Sequence, residues 1–123
     1  MQNLDWVSLY VGRKYEPGGC GPDRYDCWGL VCEVLREQFG IQLGSINDEI
    51  LQRRRARWHR VTGVSVELGD LLLFQGPHVA LALDGRSMLH ADEGVAEVVT
   101  ERFRGTLWEQ RLDRVYRHQQ HML

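Results

Sequence analysis

Apolar residues in the first half of the chain recur at helical spacing, most clearly over residues 27–39. One face of that segment carries Leu30, Val31, Val34 and Leu35. Asp26, immediately before it, is a natural N-cap residue, whose carboxylate accepts the free amide protons of a first turn. Gly40 is the residue type that commonly follows a helix C-terminus. The pattern therefore predicts an amphipathic helix that begins at Cys27 and ends near Phe39.

The same spacing predicts one helix on each side of this one, over residues 4–15 and about 47–56. A loop rich in glycine and proline, residues 17–23, separates the first helix from the central one. The third helix carries a basic run, residues 53–57. A solvated helix face explains such a run better than contact with phosphate or cell wall does.

From residue 61 onward the chain changes to short apolar runs separated by turn residues, which predicts strands. The predicted strands cover residues 71–74, 78–83, 88–91 and 95–100. Asp84-Gly85 is a typical hairpin turn between the second and the third. Residues 112–117 fit either a fifth strand or a terminal helix, and we expect residues 118–121 to form a loose tail. Helices followed by an antiparallel β-sheet meander, on which they pack, indicate an α+β fold.

Length and composition narrow the class of protein. A chain of 123 residues is expected to form a single domain, residues 1–123. Its formal net charge of −2 gives no reason to expect nucleic-acid binding. The three cysteines include no Cys-x-x-Cys pair, so neither a disulfide framework nor a zinc ribbon is indicated. We expect no membrane anchor and no signal peptide, because apolar runs stay well below about 20 residues and residues 1–5 lack a basic region before an apolar run.

Cys27 is the first candidate for chemistry, because the positive end of a helix favours a thiolate. A helix terminus contributes roughly 0.3–1 kcal/mol, less than the ~1.4 kcal/mol that shifts a pKa by one unit. The neighbouring Asp26 carboxylate opposes even this effect. A cysteine nucleophile at this position therefore needs a histidine to take its proton and a third group to hold that histidine.

Two histidines fit these roles. His78 opens a predicted strand and His90 lies near the end of the next, so the turn at residues 84–85 lets them approach as neighbours. Cys27, His78 and His90 then form a nucleophile, a base and an orienting group. The alternative is structural, since a helical cysteine is usually a small buried hydrophobe. We give that interpretation to the other cysteines and histidines: Cys20, Cys32, His59, His118 and His121. A Cys/His metal site ranks low because no ligand pair has the usual close spacing, and we expect no metal and no cofactor.

Six short segments then follow one another in a fixed order. They are residues 12–15 (Gly-Arg-Lys-Tyr), 18–19 (Gly-Gly), 25–31 (Tyr-Asp-Cys-Trp-Gly-Leu-Val), 69–74 (Gly-Asp-Leu-Leu-Leu-Phe), 78–81 (His-Val-Ala-Leu) and 89–91 (Leu-His-Ala). Together they resemble the signature of the NlpC/P60 cell-wall cysteine peptidases over about three-quarters of the chain. The resemblance implies a papain-like α+β fold and hydrolysis of peptide bonds in bacterial peptidoglycan stem peptides, commonly next to D-glutamate.

Carried over by position, the resemblance makes Cys27 the nucleophile, His78 the general base and His90 the polar third residue. Tyr15 matches the family's tyrosine ahead of the double glycine, which implies a substrate-binding or oxyanion role. Asp26 also matches, although its N-cap role is a sufficient explanation. We expect the backbone N–H of Cys27 to be a second oxyanion donor, because first-turn amides are unpaired.

Trp28 departs from the family pattern, since many cell-wall members have serine after the cysteine. Asp-Cys-Trp-Gly-Leu resembles the versions in tailed phages and prophages, where small peptidase domains belong to the tail tip. This implies a virion-tail protein with tail-tip or hub partners, made in the host cytoplasm without a signal peptide, which cuts the wall locally as DNA enters. A large aromatic can narrow the substrate cleft or dock a neighbouring subunit, so Trp28 joins Tyr15 and Asp26 as a candidate contact residue.

Two other functions stay open from the sequence. The domain can be a catalytically silent tail-tip or hub subunit that keeps the peptidase fold. It can also be an amidase or acyltransferase of related fold, because such enzymes use cysteine and histidine in the same way.

Overall fold

The computed structural model describes residues 3–62 and 65–122. Its main helix, α1, runs over Cys27–Phe39, and a second short helix, α2, over Leu107–Arg111. The strands in chain order are β1 (Lys14–Tyr15), β2 (Arg24–Tyr25), β3 (Trp58–Val61), β4 (Leu71–Phe74), β5 (His78–Ala82), β6 (Ser87–Asp92), β7 (Glu97–Arg102) and β8 (Leu112–His118). Short 3₁₀ turns cover Asp5–Leu9, Arg55–Arg57 and Gln119–Met122, and a π-helical turn covers Asn47–Leu51.

The eight strands form one sheet in the order β2-β1-β7-β6-β5-β4-β8-β3. Strands β4 to β7 are the antiparallel meander that the apolar runs predicted. The ambiguous segment near the C-terminus is a strand, because β8 pairs antiparallel with both β4 and β3. Only the short β1–β2 pair, among the described strands, is parallel. The α+β class predicted from the sequence is confirmed.

The helix predicted over residues 4–15 is wrong. Only Asp5–Leu9 is helical, as a 3₁₀ turn, and Lys14–Tyr15 is a strand at the sheet. Gly12 has a φ of 91°, a left-handed conformation that interrupts a helix, and its N–H donates to Val98 O at 2.9 Å. Pairing with β7 therefore overrides the local helical pattern.

The helix predicted over residues 47–56 is also wrong, since two separate turns take its place. Glu49 is fully buried there, and its carboxylate accepts hydrogen bonds from Gly44 N–H at 2.8 Å and Trp58 Nε1–H at 3.2 Å. A buried carboxylate needs such partners, and they hold the chain in a tighter path than a regular helix. The basic run has structural partners, because Arg53 pairs with Asp48, Arg54 with Glu49, and Arg55 lies 4.1 Å from the Tyr116 ring centroid.

The expected loose tail is ordered as well. His118 ends β8 and is buried against Trp58, with ring centroids 4.9 Å apart. The chain then forms the turn Gln119–Met122, in which the His121 ring packs on Phe39 at 5.2 Å. Aromatic packing of two histidines therefore holds this end of the chain.

Apolar side chains cover both faces of the sheet, as the strand period of two requires. Alternate residues of β5 and β6, including Val79, Leu81 and Leu89, pack on the face that carries α1. The residues between them, including Ala80 and Met88, belong to a second cluster on the other face. None of the helices in residues 3–62 and 65–122 is long and apolar enough to cross a bilayer.

Candidate active site

The N-terminus of α1 is fixed by Asp26. Its Oδ1 accepts the Gly29 N–H at 2.6 Å, which confirms the predicted N-cap, and its Oδ2 accepts the Gly18 N–H at 3.2 Å. The Asp26 N–H in turn donates to Gly19 O at 2.9 Å. One carboxylate thus ties the glycine loop to the first turn of the helix and holds Cys27 at a set position. These contacts account for Asp26, and a role in substrate binding stays a prediction.

The other side of the site is the start of β5, where its pairing with β6 is incomplete. The two strands pair at only two positions within the described ladder, both near the hairpin turn. Leu83 N–H donates to Ser87 O across the hairpin, so every second N–H of β5, including that of Val79, points toward β6. Beyond the paired positions the Val79 N–H is directed at Cys27 Sγ instead. The sulfur therefore lies beside the residue that follows His78.

The two candidate histidines are in contact. His78 Nε2 lies 2.8 Å from His90 Nδ1, with ring centroids 5.0 Å apart. Among the described residues no hydrogen bond joins Cys27 Sγ directly to either ring. Catalytic hydrogen bonds are often long without substrate and shorten in the complex, so a role of His78 as base would require its ring to approach the sulfur more closely.

Burial raises the pKa of the Cys27 thiol. The Val79 N–H opposes this rise, the Asp26 carboxylate adds to it, and the N–H groups of Trp28 and Cys27 oppose it more weakly. The helix N-terminus thus does not produce a thiolate on its own, contrary to the simplest expectation from its dipole. Near neutral pH the sulfur is therefore a thiol, and it could act as a nucleophile only if a base took its proton.

Burial also lowers the pKa of His78, to about 4. The neighbouring His90 and Arg111 lower it further, while Asp92 acts in the opposite direction. His78 is therefore a neutral imidazole near neutral pH, able to accept a proton. Near neutral pH Cys27 is therefore a thiol and His78 a neutral imidazole, and the two do not form a resting ion pair.

Tyr15 and Trp28 differ in what the structure shows for them. Burial raises the pKa of Tyr15, and the nearby Glu93 and Asp26 carboxylates raise it further, as Cys27 does once ionised, so its hydroxyl stays a protonated donor near the sulfur. Trp28 is half-buried against the core, and its Nε1–H donates to Gly44 O at 3.1 Å. This hydrogen bond holds the start of α1 against the segment that follows the helix, at Gly44. Substrate contact by either side chain stays a prediction.

Sequence reasoning missed two residues that contact the histidines. Glu101 Oε2 lies 2.7 Å from His90 Nε2. The Trp108 ring lies 5.2 Å from each imidazole centroid and packs on Phe74 at 5.1 Å. Glu101 follows directly after a predicted strand, but only the register between strands reveals its neighbour.

One group of side chains has the spacing of a metal site. His90, Asp92 and Glu101 bring three possible ligand atoms within 4.8 Å of one another. The hydrogen bond between His90 and Glu101 already accounts for two of them. The arrangement therefore needs no ion to explain it.

Residues 12–117 match the model of the NlpC/P60 family. The chain belongs to the NlpC/P60 family. It is 28% identical over 101 residues to the murein DD-endopeptidase MepS/murein LD-carboxypeptidase of Escherichia coli strain K12, an alignment that covers 79% of this chain. The chain spans about half of that protein's length (52%).

Solved structures of NlpC/P60 proteins share the fold. NlpC2 from Trichomonas vaginalis superposes with a TM-score of 0.75 at 19% identity, covering 93% of this chain and 44% of that one. An NlpC/P60 family protein from Bacillus cereus gives 0.76 at 17% identity, with 94% and 38% covered. The NlpC/p60 domain of the peptidoglycan hydrolase SagA gives 0.67 at 24% identity and covers 90% and 92%. The NlpC/P60 fold therefore extends over nearly all of this chain.

Proposed function

We propose that this NlpC/P60 domain is a cysteine peptidase that hydrolyses a peptide bond in the stem peptides of bacterial peptidoglycan. The observation that carries the proposal is the contact between His78 and His90 at 2.8 Å, beside the strand N–H that faces the Cys27 sulfur. Family membership supports it, and so does the likeness to an E. coli protein named as a murein endopeptidase.

In the proposed reaction the Cys27 sulfur attacks the carbonyl carbon while His78 Nδ1 takes the thiol proton. The negative oxygen of the tetrahedral intermediate is held by the Cys27 N–H and the Tyr15 hydroxyl. The C–N bond then breaks, and His78 returns the proton to the leaving amine, which leaves a thioester. Water attacks the thioester, His78 takes a proton from the water, and the Cys27 thiol is restored as the acid product leaves.

Mass spectrometry of the products from purified sacculi and defined muropeptides tests the reaction. We expect fragments with a new carboxylate and a new amine within the stem peptide. Release of intact stems from the sugar chain would instead show an amidase. Binding of sacculi without any product would show a silent structural domain.

The pH dependence gives a second test of His78 as the base. His78 accepts a proton only while neutral, and its lowered pKa keeps it neutral above about pH 4. We therefore expect the acid limb of kcat/KM near pH 4, well below the ordinary histidine value of about 6.5.

Circular dichroism at each pH is the control for that profile. Because the pKa of His78 is lower in the folded protein than in the unfolded chain, its contribution to the free energy of unfolding is complete only above the unfolded pKa. That contribution is lost as the pH falls toward the folded pKa. Activity that falls near pH 6.5 while the circular dichroism spectrum stays native would contradict the assignment of His78.

We further propose that the domain acts in a phage or prophage tail, with tail-tip or hub proteins as partners. The support is the Asp-Cys-Trp-Gly-Leu sequence around Cys27, which resembles the tailed-phage versions of the family. Sequencing the neighbouring genes tests this setting. We expect flanking tail genes, and a gene surrounded by cell-wall metabolism genes would overturn the tail assignment without affecting the peptidase.

A further inference from the structure

A carboxylate stands behind the two histidines of the site. His78 Nε2 lies 2.8 Å from His90 Nδ1, and His90 Nε2 lies 2.7 Å from Glu101 Oε2. The His90 side chain is fully buried, while that of Glu101 is 37% exposed. Glu101, His90 and His78 form one series of hydrogen bonds. The series ends at His78 Nε2 and does not include the other nitrogen of that ring, Nδ1. That nitrogen is the one left for the thiol proton.

The sheet fixes this chain of contacts through its register. Strands β6 and β7 pair His90 with Val99, and Glu101 lies two residues beyond Val99 on the same face. Glu101 is therefore a diagonal neighbour of His90 across the strand pair. Because backbone pairing on both strands holds the two side chains together, their contact does not depend on a flexible loop.

The direction of each hydrogen bond in this series follows from the Glu101 carboxylate. An ionised carboxylate only accepts hydrogen bonds, so His90 Nε2 must carry a hydrogen. When His90 is neutral its single ring hydrogen is on Nε2, so its Nδ1 accepts and His78 Nε2 must donate to it. His78 Nδ1 is then left without a hydrogen and with a free lone pair, as a base for Cys27 requires.

We propose that Glu101 is a positioning residue that sets the tautomer of both histidines and so makes His78 Nδ1 the base. This deepens the proposed peptidase and rests on it. Glu101 acts through His90 and does not touch the sulfur. Trp108 supports the arrangement, because its ring packs against both imidazoles at 5.2 Å and opposes their rotation.

The test compares Glu101→Gln with Glu101→Asp. Glutamine keeps the size but can donate to His90 Nε2, which releases the constraint on the tautomers, whereas aspartate keeps the carboxylate. We expect kcat for a defined muropeptide to fall about 10–100-fold in Glu101→Gln with KM unchanged, and to recover at least partly in Glu101→Asp. Glu97→Gln, the same change on the same strand, is the matched control and should retain wild-type kcat.

Long-range ¹H–¹⁵N spectra of the labelled protein near neutral pH read the tautomers independently of activity. We expect wild-type His78 to carry its hydrogen on Nε2, and Glu101→Gln to shift His78 toward the Nδ1-protonated form. Wild-type His78 protonated on Nδ1, or a doubly protonated His90, would overturn the proposal. Wild-type kcat in Glu101→Gln would overturn it too. Failure of the wild-type protein to cut any muropeptide would refute the peptidase instead, and the spectra would still decide the tautomers.

Discussion

Replacement of Cys27 by alanine is expected to abolish release of stem-peptide fragments from purified sacculi, a loss of at least about 10⁴-fold in kcat. Without the sulfur no thioester forms, and a neutral His78 has no nucleophile to activate. Chromatography and mass spectrometry of the soluble fragments measure the loss. The fold should persist, because Cys27 lies at the edge of the core and alanine suits a helix.

Cys32→Ala is the matched control on the same helix. Burial raises the Cys32 pKa to about 12, and its Sγ lies 4.0 Å from Gly44 O. We expect this variant to digest sacculi like the wild type. Cys20 is exposed and will react with alkylating reagents, so labelling must be mapped to individual cysteines. Undiminished digestion by Cys27→Ala would remove the basis for a cysteine peptidase.

Gly29→Ala is expected to destabilise the fold by about 3 kcal/mol, the upper end of the usual cost of overpacking. A Cβ at Gly29 would overlap Gly19 O, which is backbone and cannot rotate away. The loop must then move from the helix, and the hydrogen bonds of Asp26 to Gly18 and Gly29 are strained or lost. Urea unfolding followed by far-UV circular dichroism gives the free energy of unfolding.

Gly85→Ala is the control for this substitution. The nearest atom to its added Cβ would be Val66 O at 3.5 Å, an ordinary contact, so we expect little change in the free energy of unfolding. Helix propensity alone would make Gly29→Ala stabilising by up to about 1 kcal/mol. The sign of the change in unfolding free energy thus shows which effect dominates in Gly29→Ala, the overlap with Gly19 O or helix propensity. A stabilised variant would contradict the predicted overlap.

The sequence was sufficient for the elements whose signals are local. Asp26 and Gly40 mark the ends of α1, and the structure places Asp26 on the Gly29 N–H and Gly40 in a left-handed conformation (φ 68°). The hairpin between β5 and β6 brings His78 and His90 within 2.8 Å of each other, as the turn signal indicated. Their catalytic roles stay predictions that the variants above test.

Other parts depended on contacts between distant segments. Gly12 and Tyr15 donate to β7 and its preceding turn rather than continuing a helix, and no periodicity within residues 4–15 contains that information. Glu101 needs the register of β6 against β7, and Trp108 needs the position of the short helix α2. The sequence therefore indicated Cys27, His78 and His90 as candidates, but not Glu101 and Trp108, which lie beside the histidines.

The packing of Trp108 against the two imidazoles gives the molecule a built-in optical reporter. A protonated imidazole quenches indole fluorescence by accepting an electron from the excited ring, so emission from Trp108 should fall as His78 or His90 gains charge. Trp58 lies against His118 in a similar way and would add its own signal, which a Trp58→Phe background removes. The charge state of this histidine pair can thus be followed by light, without substrate and without a dye.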